Sequence, residues 1–341
     1  MKKCLIIPAA VLFLIFFVLP VTAKERIAVV TIRFETTAPL KAKKLRFWMP
    51  YPMSDEYQDI TEVNVSGNYL KTGIYREPVF GNNILYAEWN TPINEIQFRY
   101  SYKVKRRERL SKNFKNNGVT FIADEYLKYT DLNRFGSAKL KIVNYANMIT
   151  KDKIGALDKA RAVYDWIINN MRRDPEVKGC GFGDVESLLE SKGGKCADIH
   201  SVFVALARAA GVPAREVFGI RIPKGKEGDM TKAQHCWAEF YLPGNGWIAA
   251  DPADVRKHIL EKKLSLKEAS DIRAYYFGSV DESRVAFGTG DNIMLNPSQS
   301  GKALNYFMYP YAELDGKALG EDLYGFNMGY KIYFKEDIPG K

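Results

Sequence analysis

Hydrophobic periodicity changes twice along this chain, and each change restricts the folds open to it. After an apolar leader the side chains alternate, with Ala28, Val30, Ile32 and Phe34 on one face and Val29, Thr31, Arg33 and Glu35 on the other. The stretch "IQFRYSYKVK" repeats the rhythm: Ile96, Phe98, Tyr100, Tyr102 and Val104 oppose Gln97, Arg99, Ser101, Lys103 and Lys105, as in a half-buried antiparallel sheet. Turn signals "SGN" and "FGNN" separate such segments, so residues 24–115 read as a β-sandwich-like domain. Residues 116–154 read as a connector with helical segments. The period then becomes helical in "GALDKARAVYDWIINNMRRDP", where Leu157, Ala160, Val163, Tyr164, Ile167 and Met171 form a stripe. A second helix carries Ile199, Val202, Phe203, Leu206 and Ala210, with Gly211 as its stop and Pro213 beyond. Alternation returns in "REVFGIRI", "QHCWAEFYL" and "GWIAADP", the last two joined by "PGNG". Helices followed by antiparallel strands predict an α+β core over 155–260, and 261–341 are expected to form an extension packing on it.

Lys2 and Lys3 precede the run "LIIPAAVLFLIFFVL", and Pro20 with "VTA" leads into Lys24. That layout predicts a signal peptide over 1–23, cleaved near Ala23. The apolar run is short beside the roughly 20 residues a spanning helix needs, so no integral membrane span is expected in the mature chain. A periplasmic or extracellular location follows. The formal charge of +10, less the two lysines of the leader, suits anionic surroundings such as a cell envelope. The densest basic run, "KVKRRERLSKNFK", lacks interleaved aromatics and reads as a solvated connector, so nucleic acid is not an expected partner.

In "GGKCADIHSVFVALARAAGVPAR" a cysteine, Cys196, follows two glycines and opens the second helix. Unpaired N–H groups and the helix dipole favour a thiolate there, which makes Cys196 a candidate nucleophile. His235 lies on an alternating strand with Trp237, Glu239 and Tyr241, opposite Cys236, Ala238, Phe240 and Leu242. Asp251 ends the next strand before Pro252, where its carboxylate can orient the imidazole. Direct pairing of His235 with Asp251 needs an odd-length hairpin loop, such as Leu242 to Gly244; an even loop favours Asp254 in the orienting role. His200, four residues after Cys196, reads as a polar residue satisfied at the domain surface. Cys180, Cys196, His200, His235 and Cys236 contain no C-x-x-C pair or H-E-x-x-H helix, so neither a metal nor a cofactor is expected. Three cysteines in a secreted chain are one more than a pair. A Cys180–Cys236 disulfide is expected, leaving Cys196 free.

These residues resemble the bacterial transglutaminase-like superfamily, whose papain-like core orders its triad as cysteine at a helix start, histidine on a strand and aspartate on the next. The resemblance is carried by "GGKCADIHSVFVALARAAGVPAR", "HCWAEFYLPGNGW" and "DPADV", and more loosely by residues 155–260. It implies that Cys196 attacks an amide carbonyl of a protein or peptide, His235 shuttles the proton and Asp251 holds the imidazole. A thioester would result, resolved by water or by a lysine amine, with hydrolysis favoured. The Cys196 backbone N–H is the natural first oxyanion donor, with Trp166, Gln234 and Trp237 as candidates for a second. The alternative is a catalytically silent envelope binding or scaffold protein that keeps the fold.

Overall fold

Alternating burial turns the first hundred residues into strands of a two-sheet sandwich, seen in a computed structural model that describes residues 23–36, 42–90, 95–112, 114, 124–319 and 328–337. Cleavage near Ala23 concerns a leader that lies, but for Ala23 itself, outside the described residues. Among the described residues no helix is long and apolar enough to cross a membrane.

The sandwich strands are β1 (Glu25–Thr36), β2 (Lys44–Pro50), β3 (Gln58–Gly67), β4 (Lys71–Arg76), β5 (Asn83–Asn90) and β6 (Ile96–Arg107). Strand β1 pairs with β6 from Glu25↔Arg107 to Thr36↔Ile96, which keeps the two alternating patterns in phase. The apolar faces meet as an aromatic core in which Phe34 stacks on Phe47 at 4.6 Å and Phe47 meets Phe98 edge-on at 5.2 Å.

The helical layer follows as α1 (Lys139–Thr150), α2 (Gly155–Asn170), α3 (Val185–Ser191) and α4 (Cys196–Ala209). Helix α4 is buried from Cys196 through Arg208, its polar residues Asp198, His200, Ser201 and Arg208 each hydrogen-bonded inside. The antiparallel core sheet comprises β7 (Ala214–Arg221), β8 (Gln234–Leu242), β9 (Gly246–Ala250) and, after α5 (Pro252–Lys262), β10 (Arg284–Thr289). Its spatial order is β9-β8-β7-β10. The architecture is therefore α+β, an antiparallel sheet with a helical layer, preceded by an all-β region.

Residues 261–341 do not simply pack on that core. Strand β10 joins the core sheet, whereas β11 (Tyr311–Leu314) pairs with β2 and β12 (Lys331–Glu336) pairs with β1, completing both sheets of the sandwich. Unpaired sandwich edges favour this return of the chain.

The sandwich grips β10 through polar side chains. Gln58 donates to the Ala286 carbonyl at 3.0 Å and accepts from its N–H at 2.9 Å; Asn82 makes the same two bonds to Thr289 at 2.8 Å each. Arg106 Nε donates to the Arg284 carbonyl at 2.6 Å. The strand bearing Arg284 is thus held from the N-terminal region.

Candidate active site

Helix α4 begins where Asp198, buried in its first turn, gathers the preceding chain. Its Oδ1 accepts from the N–H groups of Phe182 and Gly183, both at 2.9 Å, and its Oδ2 from that of Lys195 at 3.0 Å. A Cβ on Gly181 would lie 1.9 Å from Asp198 Oδ2, and one on Gly194 2.4 Å from Asp198 Cβ. The glycines therefore make room for Asp198, which in turn fixes the backbone around Cys196. As the first residue of the helix, Cys196 has a backbone N–H with no intrahelical acceptor.

The β8–β9 hairpin has an odd-length loop, Pro243–Asn245, because Leu242 pairs with Gly246. The expected loop was one residue earlier, so the register is displaced by two and His235 does not face Asp251 directly. Parity is preserved. Asp251 stands just past the last paired residue, Ala250, and caps α5 by accepting from Asp254 N at 2.7 Å, with Pro252 at the first helical position.

From that position Asp251 takes several donors at once. Oδ2 accepts from His235 Nε2 at 3.1 Å and from Arg284 Nη1; Oδ1 accepts from His200 Nε2 at 3.1 Å. His200 is thus fully buried, correcting its reading as a surface residue. Position i+4 from Cys196 turns it inward toward the carboxylate. Burial opposes the Asp251 charge, but Arg284 and the two imidazoles overcome it and hold the carboxyl well below the usual range. Asp254 sits 3.7 Å from His235 Nε2 and pairs with Arg284 and Arg221, a supporting carboxylate beside the main one.

With Nε2 directed at Asp251, His235 keeps Nδ1 for the thiol. Burial and Arg221 press the imidazole toward neutrality, yet Asp254 and the bond to Asp251 carry its pKa above the ordinary value. The neighbouring Cys180 and Cys236 thiols, then His235, hold the Cys196 thiol well below its ordinary value against the cost of burial. The expected Cys180–Cys236 disulfide is absent: Cys180, Cys196 and Cys236, the cysteines among the described residues, are free thiols. Cys180 donates to the Gln234 carbonyl at 3.3 Å and accepts from the Tyr309 hydroxyl at 3.1 Å, while Cys236 lies 3.3 Å from His200 Nδ1. Alternation does send Cys236 to the core face, but helix α4 covers that face, so both neighbouring thiols reach Cys196.

Cys196, His235 and Gln234 line one cleft of about 650 Å³. Gln234 has its whole side-chain amide buried with no partner among the described residues. Trp166 and Trp237 are elsewhere. Trp166 packs edge-on against Tyr145 on the helical layer, 5.7 Å between centroids, and Trp237 lines a separate cleft between the sandwich and the outer face of the core sheet. Periodicity placed both on plausible faces, but not near the thiol. Arg284 and Asp198 escaped the sequence reading, and His200 and Cys180 were read there in other roles; the "CADIH" spacing carried a signal of Asp198 and His200 alone.

His235, Asp251 and Asp254 have ligand atoms close enough to share a cation. Arg284 and Arg221 already occupy those carboxylates, so the donor set is neutralised by guanidinium groups rather than left for a metal.

The core of the transglutaminase-like superfamily matches residues 143–252. An uncharacterized protein of Haemophilus influenzae is 36% identical over 303 residues, covering 80% of this chain and 81% of that protein. A protein-glutamine gamma-glutamyltransferase of Pseudomonas aeruginosa is 30% identical over 95 residues, 25% of this chain and 14% of that enzyme. A solved protein of Cytophaga hutchinsonii described as a candidate cysteine protease superposes with a TM-score of 0.55 at 14% identity, covering 92% of this chain and 98% of its own. That likeness is one of fold.

Proposed function

Because the chain belongs to the transglutaminase-like superfamily, we propose that it is a thiol-dependent enzyme acting on protein or peptide amides, hydrolysing them in preference to cross-linking. The observation that carries this reading is the continuous hydrogen-bonded path from Asp251 through His235 to a Cys196 whose thiolate is favoured.

Cys196 Sγ attacks the amide carbonyl carbon, and the developing oxyanion is met by the Cys196 backbone N–H, with the Gln234 amide as the second donor. Collapse breaks the C–N bond as the His235 imidazolium gives its proton to the departing nitrogen, leaving a thioester and a neutral imidazole. His235 then takes a proton from water, hydroxide adds to the thioester, and release of the acid regenerates Cys196. Asp251 remains ionised throughout and holds the ring. Hydrolysis is favoured because the cleft around the thiol is lined by cations, which repel a protonated lysine acceptor but not water. Signal cleavage near Ala23 would deliver the enzyme to the periplasm or the exterior, where envelope peptides are reachable.

The test incubates the mature protein with cell-envelope peptides and follows ammonia and new amino termini by mass, alongside iodoacetamide labelling of Cys196 across pH. The expected result is turnover lost on Cys196→Ala and a labelling pKa well below the ordinary thiol value of about 8.5. Full activity in Cys196→Ala would overturn the thiol mechanism, and no turnover by the wild type together with an ordinary labelling pKa would favour the scaffold reading instead.

A further inference from the structure

We infer that Cys196 and Cys180 form a site of reversible oxidative modification, in which Cys180 captures a peroxide-oxidised Cys196 as a disulfide and shields it from further oxidation. The amide chemistry proposed above makes no bond to Cys180, so the inference goes beyond that reading and needs only a reactive Cys196 thiolate.

Two thiols stand beside Cys196, and their settings differ. Cys236 is fully buried on β8, between β7 and β9, where it pairs with Phe218 and its Sγ lies 3.3 Å from His200 Nδ1. Cys180 instead lies in the turn between Arg173 and α3 and lines the cleft together with Cys196. Gly179 and Gly181 on either side of it take φ values of 56° and 93°, the left-handed backbone that so tight a turn requires. The turn is pinned to the helix start, because the Cys180 carbonyl accepts from the Ala197 N–H at 2.9 Å. A disulfide spans about 4.4–6.8 Å between Cα atoms, and a backbone hydrogen bond joining Cys180 to the residue after Cys196 keeps the two on that scale. A turn also adjusts more readily than the paired strand that holds Cys236.

The chemistry takes two steps. A peroxide such as hydrogen peroxide gives one oxygen to the Cys196 thiolate: its O–O bond breaks, an S–O bond forms, and the released hydroxide takes a proton from solvent and leaves as water. The Cys180 sulfur then attacks Cys196 Sγ, the S–O bond breaks, and the hydroxide departs with the Cys180 proton as a second water. The peroxide is reduced by two electrons and the thiol pair is oxidised by two. In the reduced site the Cys196 sulfur, and then burial, push the Cys180 thiol well above its ordinary value, so Cys196 is the sulfur that meets the oxidant. A sulfenic acid at Cys196 carries no such negative charge. The Tyr309 hydroxyl, donating to Cys180 Sγ at 3.1 Å, then favours the ionised sulfur that attacks.

The experiment treats the full mature chain with a small excess of hydrogen peroxide in the absence of any amide, then maps tryptic peptides without reduction. Trypsin cuts after Lys192 and Lys195, between the two cysteines, so a link joins two peptides of different sequence. The expected result is a Cys180–Cys196 link in the wild type, with iodoacetamide labelling of Cys196 restored by dithiothreitol. In Cys180→Ser the same dose should carry Cys196 on to its sulfinic acid, with less than about a tenth of its labelling recovered. Cys236→Ser should keep the Cys180–Cys196 link. A wild-type map with no Cys180–Cys196 link, or with Cys196 linked to Cys236, overturns the inference whether or not either variant folds. Because the link is read by mass, its formation without turnover of any amide retains this site and sinks the hydrolase reading, whereas turnover without the link does the reverse.

Discussion

Two carboxylates of the core domain, Asp251 and Glu239, are buried, and both are held by arginine. Glu239 accepts from Arg109 Nη1 at 2.7 Å and from Arg215 Nε at 2.9 Å, and their charges overcome its burial to hold it below the usual carboxylate range. Asp251 is held down likewise by Arg284, but it also accepts from two histidines, His235 beside the Cys196 thiol and His200 beside Cys236. A carboxylate closed off by guanidinium groups has no proton to pass on, because arginine stays charged at any relevant pH. One that shares itself with imidazole can tune a base. The same burial and charge therefore make a closed clamp at Glu239, and at Asp251 a carboxylate shared with imidazole, which the proposed mechanism uses to handle a proton.

The largest effect expected is at the thiol that distinguishes the two sites. Cys196→Ala should remove turnover to background, and His235→Ala should do nearly as much, with the double variant scarcely worse than either. Additive losses in kcat would show that thiol and imidazole do not act as one unit.

Exchanging each carboxylate for its amide separates the roles. Asp251→Asn should lower kcat by about 10²–10⁴ because the imidazole loses its orienting acceptor. Glu239→Gln should leave kcat of the folded protein within a few-fold and instead lower unfolding stability by about 2–4 kcal/mol, since two arginines lose their counter-charge. Paired urea titrations and kcat measurements decide this; similar kcat losses at both sites would erase the distinction.

A smaller effect contrasts the two faces of β8 at neighbouring positions. Gln234→Ala should cost roughly tenfold in kcat if its amide meets the oxyanion, whereas Trp237→Phe, in the other cleft, should change kcat less than about threefold. A larger loss at Trp237 than at Gln234 would mean the second cleft communicates with the chemistry.

The smallest concerns a buried carboxyl with no arginine clamp. Glu216, bonded to Ser201 Oγ at 2.6 Å, is pushed up by burial to about 8. Because its folded value lies above the unfolded one, the stability it contributes is present below about pH 4.5 and is lost as pH rises toward 8. Glu216→Gln should therefore match wild type near pH 4.5 and become more stable by about 1–3 kcal/mol at pH 8, read by chemical denaturation at both pH values.

The strands of the sandwich and the stripes of α2 and α4 were legible because alternation and a 3.6-residue period depend only on neighbouring residues. So was the order of thiol, imidazole and carboxylate along the chain. The hairpin was nearly legible, with its parity right and its loop one residue late, because "PGNG" permits more than one three-residue turn.

By itself the sequence determined which local elements form and which reactive groups stand at their ends, since those properties are written in short-range spacing and capping. Only the tertiary structure decided which groups meet. His200 and Asp251 are separated by 51 residues and Arg284 follows Asp251 by 33, yet all converge on one carboxylate. Trp237, two residues from His235, opens onto a different cleft. Cys180 and Cys236 likewise gather around Cys196 instead of forming the expected disulfide. The physical reason is that burial, charge pairing and access are set by the packing of helix α4 against the sheet and of the sandwich against β10, contacts between segments far apart in the chain that no local period encodes.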